Sequence, residues 1–267
     1  MRSSRVFAVL AAGSLAIAAA LSSAGAAEAA GAANYVALGD SYSAGVGAGS
    51  YYSSSGSCDR SANAYSVLWD NANSPSSFTF DACSGATTAD VVNSQVSVLS
   101  SATTLVSVTI GGNDVGFSSV METCVLESTS SCVSAVNSAE NEARTQLPGE
   151  LDNALNAIAS HAPNAQVVVM DYPELYDLSK SSSCIGLSTT DRTDLNQAAD
   201  LLDTTIQAAA TRHNDTFGDV RGYFSGHEIC DSNSWLHSVN IFDIDESYHP
   251  TSSGQSGAYY PLFKSLA

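Results

Sequence analysis

The stretch NYVALGDSYS, residues 34–43, sets a short apolar run directly against a Gly-Asp-Ser turn. A run of this length, closed by a glycine, is typical of a buried β-strand that ends in a sharp turn. Similar runs predict four further strands, at 77–83, 104–112, 165–173 and 219–225. The first strand therefore begins a sheet, and the turn that follows it carries the first candidate site residue, Ser41.

Longer amphipathic stretches separate these strands. Their apolar spacing predicts helices at 62–69, 88–99, 134–160, 190–213 and 253–263. Strands that alternate with helices indicate an α/β fold, a three-layer α/β/α sandwich with a central, mostly parallel sheet. No linker or repeat breaks the series, so residues 30–267 are expected to form a single domain.

The N-terminus has the layout of a secretory signal peptide, with Arg2 and Arg5, an apolar alanine-rich stretch at 6–21, and then small residues. Its apolar core of about 15 residues is shorter than the ~20 that a membrane-spanning helix needs. Cleavage after Ala29 or Ala33 fits the pattern, so residues 1–29, or up to 33, are expected to be removed. The mature protein is expected to be secreted and extracellular.

Acidic residues dominate the charge of the chain, which carries 27 Asp and Glu against 9 Lys and Arg, a formal net charge of −18. Binding to nucleic acid depends on neutralising phosphates with Lys and Arg, so this balance argues against such a partner. The acidic run DIDE, at 243–246, lacks the ligand spacing of an EF-hand. No metal or other cofactor is expected.

Six cysteines follow the signal segment, and an even number in an exported chain predicts three disulfides. Spacing alone leaves all fifteen pairings open. A zinc site is the alternative use, but no C-x-x-C or H-x-x-x-H spacing occurs. The six are Cys58, Cys83, Cys124, Cys132, Cys184 and Cys230.

Ser41 occupies a position where chemistry is common. In an open α/β sheet, ligands bind at the carboxyl ends of the strands, where loops turn into helices. Ser41 lies there, two residues past Gly39, among backbone N–H groups that can stabilise an oxyanion. The alternative is a serine that only caps the following helix.

Three other stretches favour the chemical interpretation. CSGATTADV (83–91) places Gly85 in a loop before a helix, and VTIGGNDVGF (108–117) places the amide of Asn113 just after a strand. DIDESYHPTSSGQ (243–255) offers His249 just before the last helix. With Ser41, these residues supply a nucleophile, a base and oxyanion donors.

The same stretches resemble, in order, four sequence blocks of the SGNH hydrolases, the GDSL-type lipases and esterases: GDSYS, SGATT, GGND and SYHP. Within that family the chain is most similar to secreted actinobacterial lipases, esterases and phospholipases A1. The resemblance implies a flavodoxin-like fold, Ser41 as nucleophile, His249 as general base, and an oxyanion hole of Gly85, Asn113 and the Ser41 amide. The disulfides that it implies run in sequence order: Cys58–Cys83, Cys124–Cys132 and Cys184–Cys230.

One position departs from the family pattern. Family members often carry Asp three residues before the histidine, whereas this chain has Glu246 there. Some relatives orient the imidazole with a main-chain carbonyl, which here would be that of Ser247 or Glu246. Either acceptor on Nδ1 fixes the tautomer and stabilises the imidazolium as it forms. Both arrangements stay open, with the carbonyl preferred.

The predicted function is a secreted serine hydrolase that cleaves carboxylic esters, of lipid or fatty-acyl type, through an acyl-enzyme. The enzymatic alternatives are a carbohydrate O-deacetylase and an enzyme that acts mainly as a phospholipase. The non-enzymatic alternative is a secreted binding module on the same fold. The expected partner is a small-molecule or lipid ester, with at most transient contact with lipid surfaces, and the expected state is a monomer.

Two long irregular segments, 45–61 and 225–250, are expected to form the walls of the binding cleft, because long loops in compact domains are usually functional or disordered. Five large side chains in them are candidates for an apolar acyl groove. They are Tyr51, Tyr52, Trp235, Leu236 and Phe242.

Overall fold

The computed structural model describes residues 32–180 and 184–267, so the predicted signal peptide lies outside the described residues. Its central sheet has five strands in the order β2-β1-β3-β4-β5, and every neighbouring pair is parallel. This is the flavodoxin-like strand order: β2 is added on one side of β1, and the later strands, beginning with β3, are added on the other side. The strands are β1 (Asn34–Gly39), β2 (Ser77–Phe80), β3 (Leu105–Thr109), β4 (Gln166–Met170) and β5 (Thr216–Gly218).

Ten helices surround the sheet in the described part of the chain. They are α1 (Ser41–Ala44), α2 (Tyr65–Asn73), α3 (Thr88–Asn93), α4 (Phe117–Leu126), α5 (Thr129–Thr145), α6 (Leu147–His161), α7 (Thr189–His213), α8 (Arg221–Phe224), α9 (Ser252–Gly254) and α10 (Tyr260–Leu266). A π-helical turn, Gln255–Tyr259, joins the last two. None of the described helices is both long enough and apolar enough to span a bilayer.

The helices form two layers, one on each face of the sheet. On one face α2 packs against α10, and Tyr35 of β1 lies between Trp69 of α2 and Phe263 of α10. On the other face α3, α5, α6 and α7 pack against one another. β3 is buried at every residue, as expected for a parallel strand covered on both faces. The predicted α/β sandwich with a parallel sheet is confirmed.

Two sequence predictions of secondary structure are wrong. Residues 219–225 do not form a strand, since β5 ends at Gly218 and α8 follows. Carboxylates take the backbone donors there: Asp171 accepts the Val220 N–H at 2.7 Å, and Asp219 accepts the Arg221 N–H at 3.0 Å. A chain whose donors are bonded to side chains cannot extend a sheet ladder.

The predicted helix at 134–160 is two helices, α5 and α6, which meet at Gln146. Pro148 explains the break, because proline has no amide hydrogen for an interior helical bond and favours the first turn of a new helix. α4 was not predicted. Its sequence FSSVMETCVL is short and follows the glycines and Asn113 closely, so the periodic signal there is weak.

All six cysteines form disulfides, in the sequence-order pairing that the family resemblance implies. Each joins an irregular segment or a helix to its neighbour. The first ties the loop after α1 to the segment after β2, the second ties α4 to α5, and the third ties the segment before α7 to the one after α8. Crosslinks of this kind reduce the entropy of the unfolded chain.

Candidate active site

The site begins where β1 ends. Gly39 has φ +119°, and a Cβ there would collide with the backbone carbonyl of Thr109 on β3, so only glycine fits. Asp40 then caps α1, because its Oδ1 accepts the Tyr42 N–H at 3.0 Å. Ser41 is thereby placed in the first turn of α1, between the carboxyl ends of β1 and β3. Ligands bind at such a switch point in doubly wound folds.

His249 lies against Ser41 although the two are 208 residues apart in the chain, with 2.7 Å between His249 Nε2 and Ser41 Oγ. The other ring nitrogen, Nδ1, lies 3.0 Å from the backbone carbonyl oxygen of Ser247. A carbonyl can only accept, so Nδ1 carries the hydrogen and donates it. Nε2 is then the unprotonated nitrogen, free to accept the hydroxyl hydrogen of Ser41.

Burial determines the protonation state of this histidine. It lowers the pKa of His249 to about 4, with the nearby His237 adding to the effect and the Ser247 carbonyl opposing it. The imidazole is therefore neutral at neutral pH. A neutral ring is the form that can accept a proton.

The backbone around His249 is held from two directions. Tyr248 adopts φ +65°, and its carbonyl accepts the Tyr42 hydroxyl at 2.6 Å. His237 pairs with this segment through backbone bonds of 3.0 and 3.1 Å. The Tyr42 ring also packs on the imidazole, with 5.1 Å between ring centroids. Tyr42, the residue after Ser41, thus supports the segment that carries His249.

Glu246, the candidate acid, has other partners. Its carboxylate accepts the Tyr51 hydroxyl at 2.6 Å and the Asn240 side-chain amide at 3.2 Å. Its backbone carbonyl accepts the His249 N–H at 3.2 Å. The structure therefore brings the Ser247 carbonyl, and not the Glu246 carboxylate, to Nδ1. Glu246 braces the segment that carries this carbonyl.

The predicted oxyanion donors lie on neighbouring loops. Asn113 follows β3 and lines the same cleft as Ser41, while its Nδ2 donates to the carbonyl of Ala86 at 2.9 Å. That bond ties the Gly85 loop, where Gly85 has φ +78°, to the cleft. Within residues 32–180 and 184–267, the N–H groups of Ser41 and Gly85 donate to no protein acceptor. Two backbone donors and the second amide hydrogen of Asn113 are thus available.

An apolar cleft of about 760 Å³, counting the part open to solvent, leads away from Ser41. α4, α5 and α7 form its walls. Their apolar lining residues are Phe117, Val120, Val136, Ala139, Ala143, Leu195, Ala198, Ala199 and Leu202. A cleft with a polar end and apolar walls suits an ester whose acyl part is a hydrocarbon chain.

The five aromatic and aliphatic side chains predicted to line an acyl groove do not line this cleft. Tyr51 bonds to Glu246 instead, and Trp235 stacks on His227 with 3.6 Å between ring centroids. Leu236 is buried, whereas Tyr52 and Phe242 face solvent, with Phe242 94% exposed. The prediction assigned the walls to long loops, but α4 provides one of them.

Sequence reasoning missed Tyr172, which lies just past the carboxyl end of β4. Its hydroxyl donates to Asp40 Oδ2 and accepts the Gly112 N–H at 3.2 Å, and its ring lines the cleft. Thr109 donates to the other Asp40 oxygen at 2.7 Å. Burial nevertheless raises the pKa of Asp40 to about 6. The position of Tyr172 just past the end of a predicted strand was the feature of the sequence that could have indicated a role in the site.

Asp114, the residue after Asn113, holds a turn through hydrogen bonds. Its carboxylate accepts the Thr88 N–H at 3.0 Å and the Thr88 hydroxyl at 2.6 Å, which fixes the start of α3. Among the described residues, no cluster of three or more His, Cys, Asp or Glu side chains is arranged to hold a metal ion. Ser41 itself lies in hydrogen-bond contact with a neutral histidine.

Comparison with known proteins gives the class of this protein. The sequence profile of the GDSL-like lipase/acylhydrolase family matches residues 37–256. Lipase 1 of Streptomyces coelicolor is 54% identical over 270 residues, which cover 100% of both chains. A lipase of Streptomyces rimosus is 48% identical over 87% of this chain and 86% of its own.

Two solved structures share the fold closely. A phospholipase A1 from Streptomyces albidoflavus has a TM-score of 0.86 and 53% identity, over 88% of this chain and 100% of its own. The extracellular lipase of Streptomyces rimosus has a TM-score of 0.86 and 48% identity over the same shares. The chain belongs to the GDSL-like lipase/acylhydrolase family. It is an ester hydrolase of the lipase type.

Proposed function

We propose that the protein is a secreted serine hydrolase that cleaves fatty-acyl esters through an acyl-enzyme. One observation carries the proposal: His249 Nε2 lies 2.7 Å from Ser41 Oγ, while Nδ1 faces the Ser247 carbonyl. A serine hydroxyl is a weak nucleophile unless a neighbouring base takes its proton as it attacks. The arrangement provides such a base in the required tautomer.

In the proposed reaction, Ser41 Oγ attacks the ester carbonyl carbon while His249 Nε2 takes the hydroxyl proton. The tetrahedral intermediate places its negative oxygen among the N–H groups of Ser41 and Gly85 and the Asn113 amide. His249 then returns the proton to the leaving alcohol, and the carbonyl re-forms as an acyl-Ser41 ester. Water, deprotonated by the same histidine, releases the fatty acid and restores the hydroxyl.

The His249–Ser247 contact does the work that a carboxylate does in a triad. It fixes which ring nitrogen is protonated and holds the ring plane toward Ser41. It also stabilises the imidazolium, since the carbonyl oxygen accepts the Nδ1 hydrogen of the charged ring. We therefore assign a Ser41–His249 dyad oriented by a main-chain carbonyl.

Glu246→Gln is expected to keep kcat within about threefold of wild type, whereas loss of a triad carboxylate costs about 10²-fold or more. Glutamine keeps one acceptor oxygen, so the loop retains its bond to the Tyr51 hydroxyl and loses only the one from the Asn240 amide. The acid limb of the kcat/KM profile should stay well below the ordinary histidine pKa of about 6.5 in both proteins. Burial holds the pKa of His249 near 4, and activity falls only when the ring is protonated. A loss of kcat beyond ~10²-fold would assign the orienting role to the carboxylate.

The apolar cleft indicates the substrate class. Two carboxyl groups, Asp40 and Glu140, are among its lining residues, and that of Asp40 is already bonded to the Tyr42 N–H, Thr109 and Tyr172. The remaining lining is mainly apolar and suits a hydrocarbon chain. The similarity to a phospholipase A1 makes a phospholipid the second candidate substrate. A carbohydrate acetyl ester would leave most of the cleft unused.

The substrate proposal is tested by kcat/KM for p-nitrophenyl esters of increasing chain length, with phosphatidylcholine as a further substrate. We expect the values to rise from acetate to medium and long chains. Ala139→Phe, which fills the cleft from α5, should lower the ratio of long-chain to acetate turnover by about tenfold or more, since each methylene in a pocket contributes about 1–3 kcal/mol. Acetate turnover within threefold of wild type is the internal control. Turnover of acetate far above all longer esters would favour the deacetylase.

We also propose that the chain is exported, with residues 1–29, or up to 33, removed and the remainder acting as one secreted hydrolase domain. The arginines, apolar stretch and small residues of the N-terminus support this. The three disulfides support it as well, because such bonds persist in oxidising compartments.

A further inference from the structure

The loop 238–247, just before Tyr248 and His249, presents large apolar side chains to solvent. Ile241 is 80% exposed, Phe242 94% and Ile244 65%. Isolated exposed apolar residues are normal on protein surfaces, but three within four positions are not. Their closeness in sequence to the catalytic histidine connects this surface to the site.

The loop is folded, not merely extended into solvent. Asn240 Oδ1 accepts the N–H groups of Phe242 and Asp243 at 3.1 and 3.3 Å. The Asn240 N–H donates to the Ser247 hydroxyl at 2.9 Å, and its side-chain amide donates to Glu246 at 3.2 Å. A turn closed by its own asparagine holds the apolar side chains outward in a defined arrangement.

Four more exposed or half-exposed apolar residues belong to this surface, one of them, Val239, within the loop itself. Val125, Ile185 and Val239 line one surface depression together with Tyr248, and Leu126 follows Val125 at the end of α4 with 72% exposure. We call the whole set the apolar rim. Its members are Val125, Leu126, Ile185, Val239, Ile241, Phe242 and Ile244.

α4 joins the apolar rim to the catalytic cleft. Its first turns line the cleft with Phe117 and Val120, and its last residues, Val125 and Leu126, belong to the rim. A single helix therefore carries apolar side chains from the cleft to the outer surface. An acyl chain drawn from a lipid layer on the rim would meet apolar surface along this path.

The charged residues beside the apolar rim determine which kind of lipid surface the rim can bind. Asp243 and Asp245 alternate with its apolar residues, and both add to the burial effect that raises the pKa of the nearby Asp59. No Lys or Arg occurs between residues 222 and 263. Anionic lipid would be repelled by these carboxylates. Two copies of the rim facing each other would bring the same carboxylates together, which disfavours a dimer.

We propose that the apolar rim docks the enzyme onto an uncharged or zwitterionic lipid–water interface, with Ile241, Phe242 and Ile244 inserted among the acyl chains. This inference rests on the proposed function, in that a fatty-acyl ester is the substrate. Docking here presents the end of α4 and the cleft to the lipid layer. Apolar side chains at the tip of a surface loop bind such interfaces through the area they bury.

The test uses full-length secreted protein carrying Ser41→Ala, which leaves the lipid intact, and phosphatidylcholine vesicles in a co-sedimentation assay. Adding Ile241→Ser and Phe242→Ser should lower the partition coefficient by about tenfold or more, since burial of one large apolar side chain corresponds to at least that factor. Val98→Ser is the matched control. Val98 is 37% exposed and is not part of the apolar rim. It should leave partitioning unchanged.

Activity separates docking from chemistry. The double loop variant is also made in the protein that retains Ser41. Its kcat/KM for a soluble, monomeric acetate ester should stay within twofold of wild type, while its rate on phosphatidylcholine vesicles should fall by about tenfold or more. Vesicles containing phosphatidylglycerol should bind the Ser41→Ala protein less well than pure phosphatidylcholine.

Unchanged partitioning of the double variant would overturn the proposal, as would tighter binding to the anionic vesicles. A shift of wild type, but not the variant, to a dimer in size-exclusion chromatography would assign the rim to a second copy instead. The Ser41→Ala protein could bind vesicles although the wild type hydrolyses no long-chain ester. That result would reject the proposed substrate and leave the docking surface standing.

Discussion

Replacing Ser41 with alanine is expected to lower kcat for ester hydrolysis by about 10⁴-fold or more, because loss of a serine nucleophile removes the acyl-enzyme route entirely. His249→Ala should cost a similar factor, since the hydroxyl then has no base at 2.7 Å. The double variant should be no worse than either single one, because nucleophile and base act as a unit. Initial rates with a p-nitrophenyl ester measure all three.

The controls for this series use residues of the same types outside the site. Ser138 and His161 lie at exposed positions of α5 and α6, where each side chain bonds to a carbonyl of the preceding helical turn. The variants Ser138→Ala and His161→Ala should therefore retain wild-type rates. A fluorophosphonate should label the wild type and fail to label Ser41→Ala. Retention of most activity by the Ser41 or His249 variant would reject the dyad, and a wild-type protein that resists the label would favour the binding module.

The fold could be predicted where burial alone decides the structure. Strands such as β1 and β3 are covered on both faces, and their continuous apolar runs leave no other element of that length. Prediction failed where local side chains override the pattern. Asp171 and Asp219 turn the chain at 219–225, and Pro148 divides one apolar periodicity between two helices.

The candidate site could likewise be predicted in part from the sequence. Ser41 and Asn113 could be placed together because the ends of adjacent parallel strands meet at one edge of the sheet. For the partner of His249 Nδ1 the sequence only favoured a carbonyl without excluding Glu246, since a carbonyl two residues away and a carboxylate three residues away are about equally near in sequence. The acyl walls were also beyond reach, because α4, α5 and α7 converge only through tertiary packing.

Asn113 offers the second large effect. In the proposed mechanism its amide is a side-chain donor to the developing oxyanion, where the ester oxygen gains charge only after attack begins. Donors of this kind stabilise the transition state more than the bound substrate. The bond from Asn113 to the Ala86 carbonyl, at 2.9 Å, holds the amide in place before substrate arrives. The remaining hydrogen is thus already oriented.

Asn113→Ala is therefore expected to lower kcat by about 10²–10³-fold, the effect of removing one oxyanion donor, while KM changes less than about threefold. Asn164→Ala is the matched control, because that amide also donates to a backbone carbonyl, Ser101, at 2.9 Å, but on an exposed surface. Equal thermal stability of the two variants would show that the loss is chemical. If KM rose in proportion while kcat held, Asn113 would bind substrate and transition state alike, and the stabilisation of the oxyanion would have to come from the Ser41 and Gly85 amides alone.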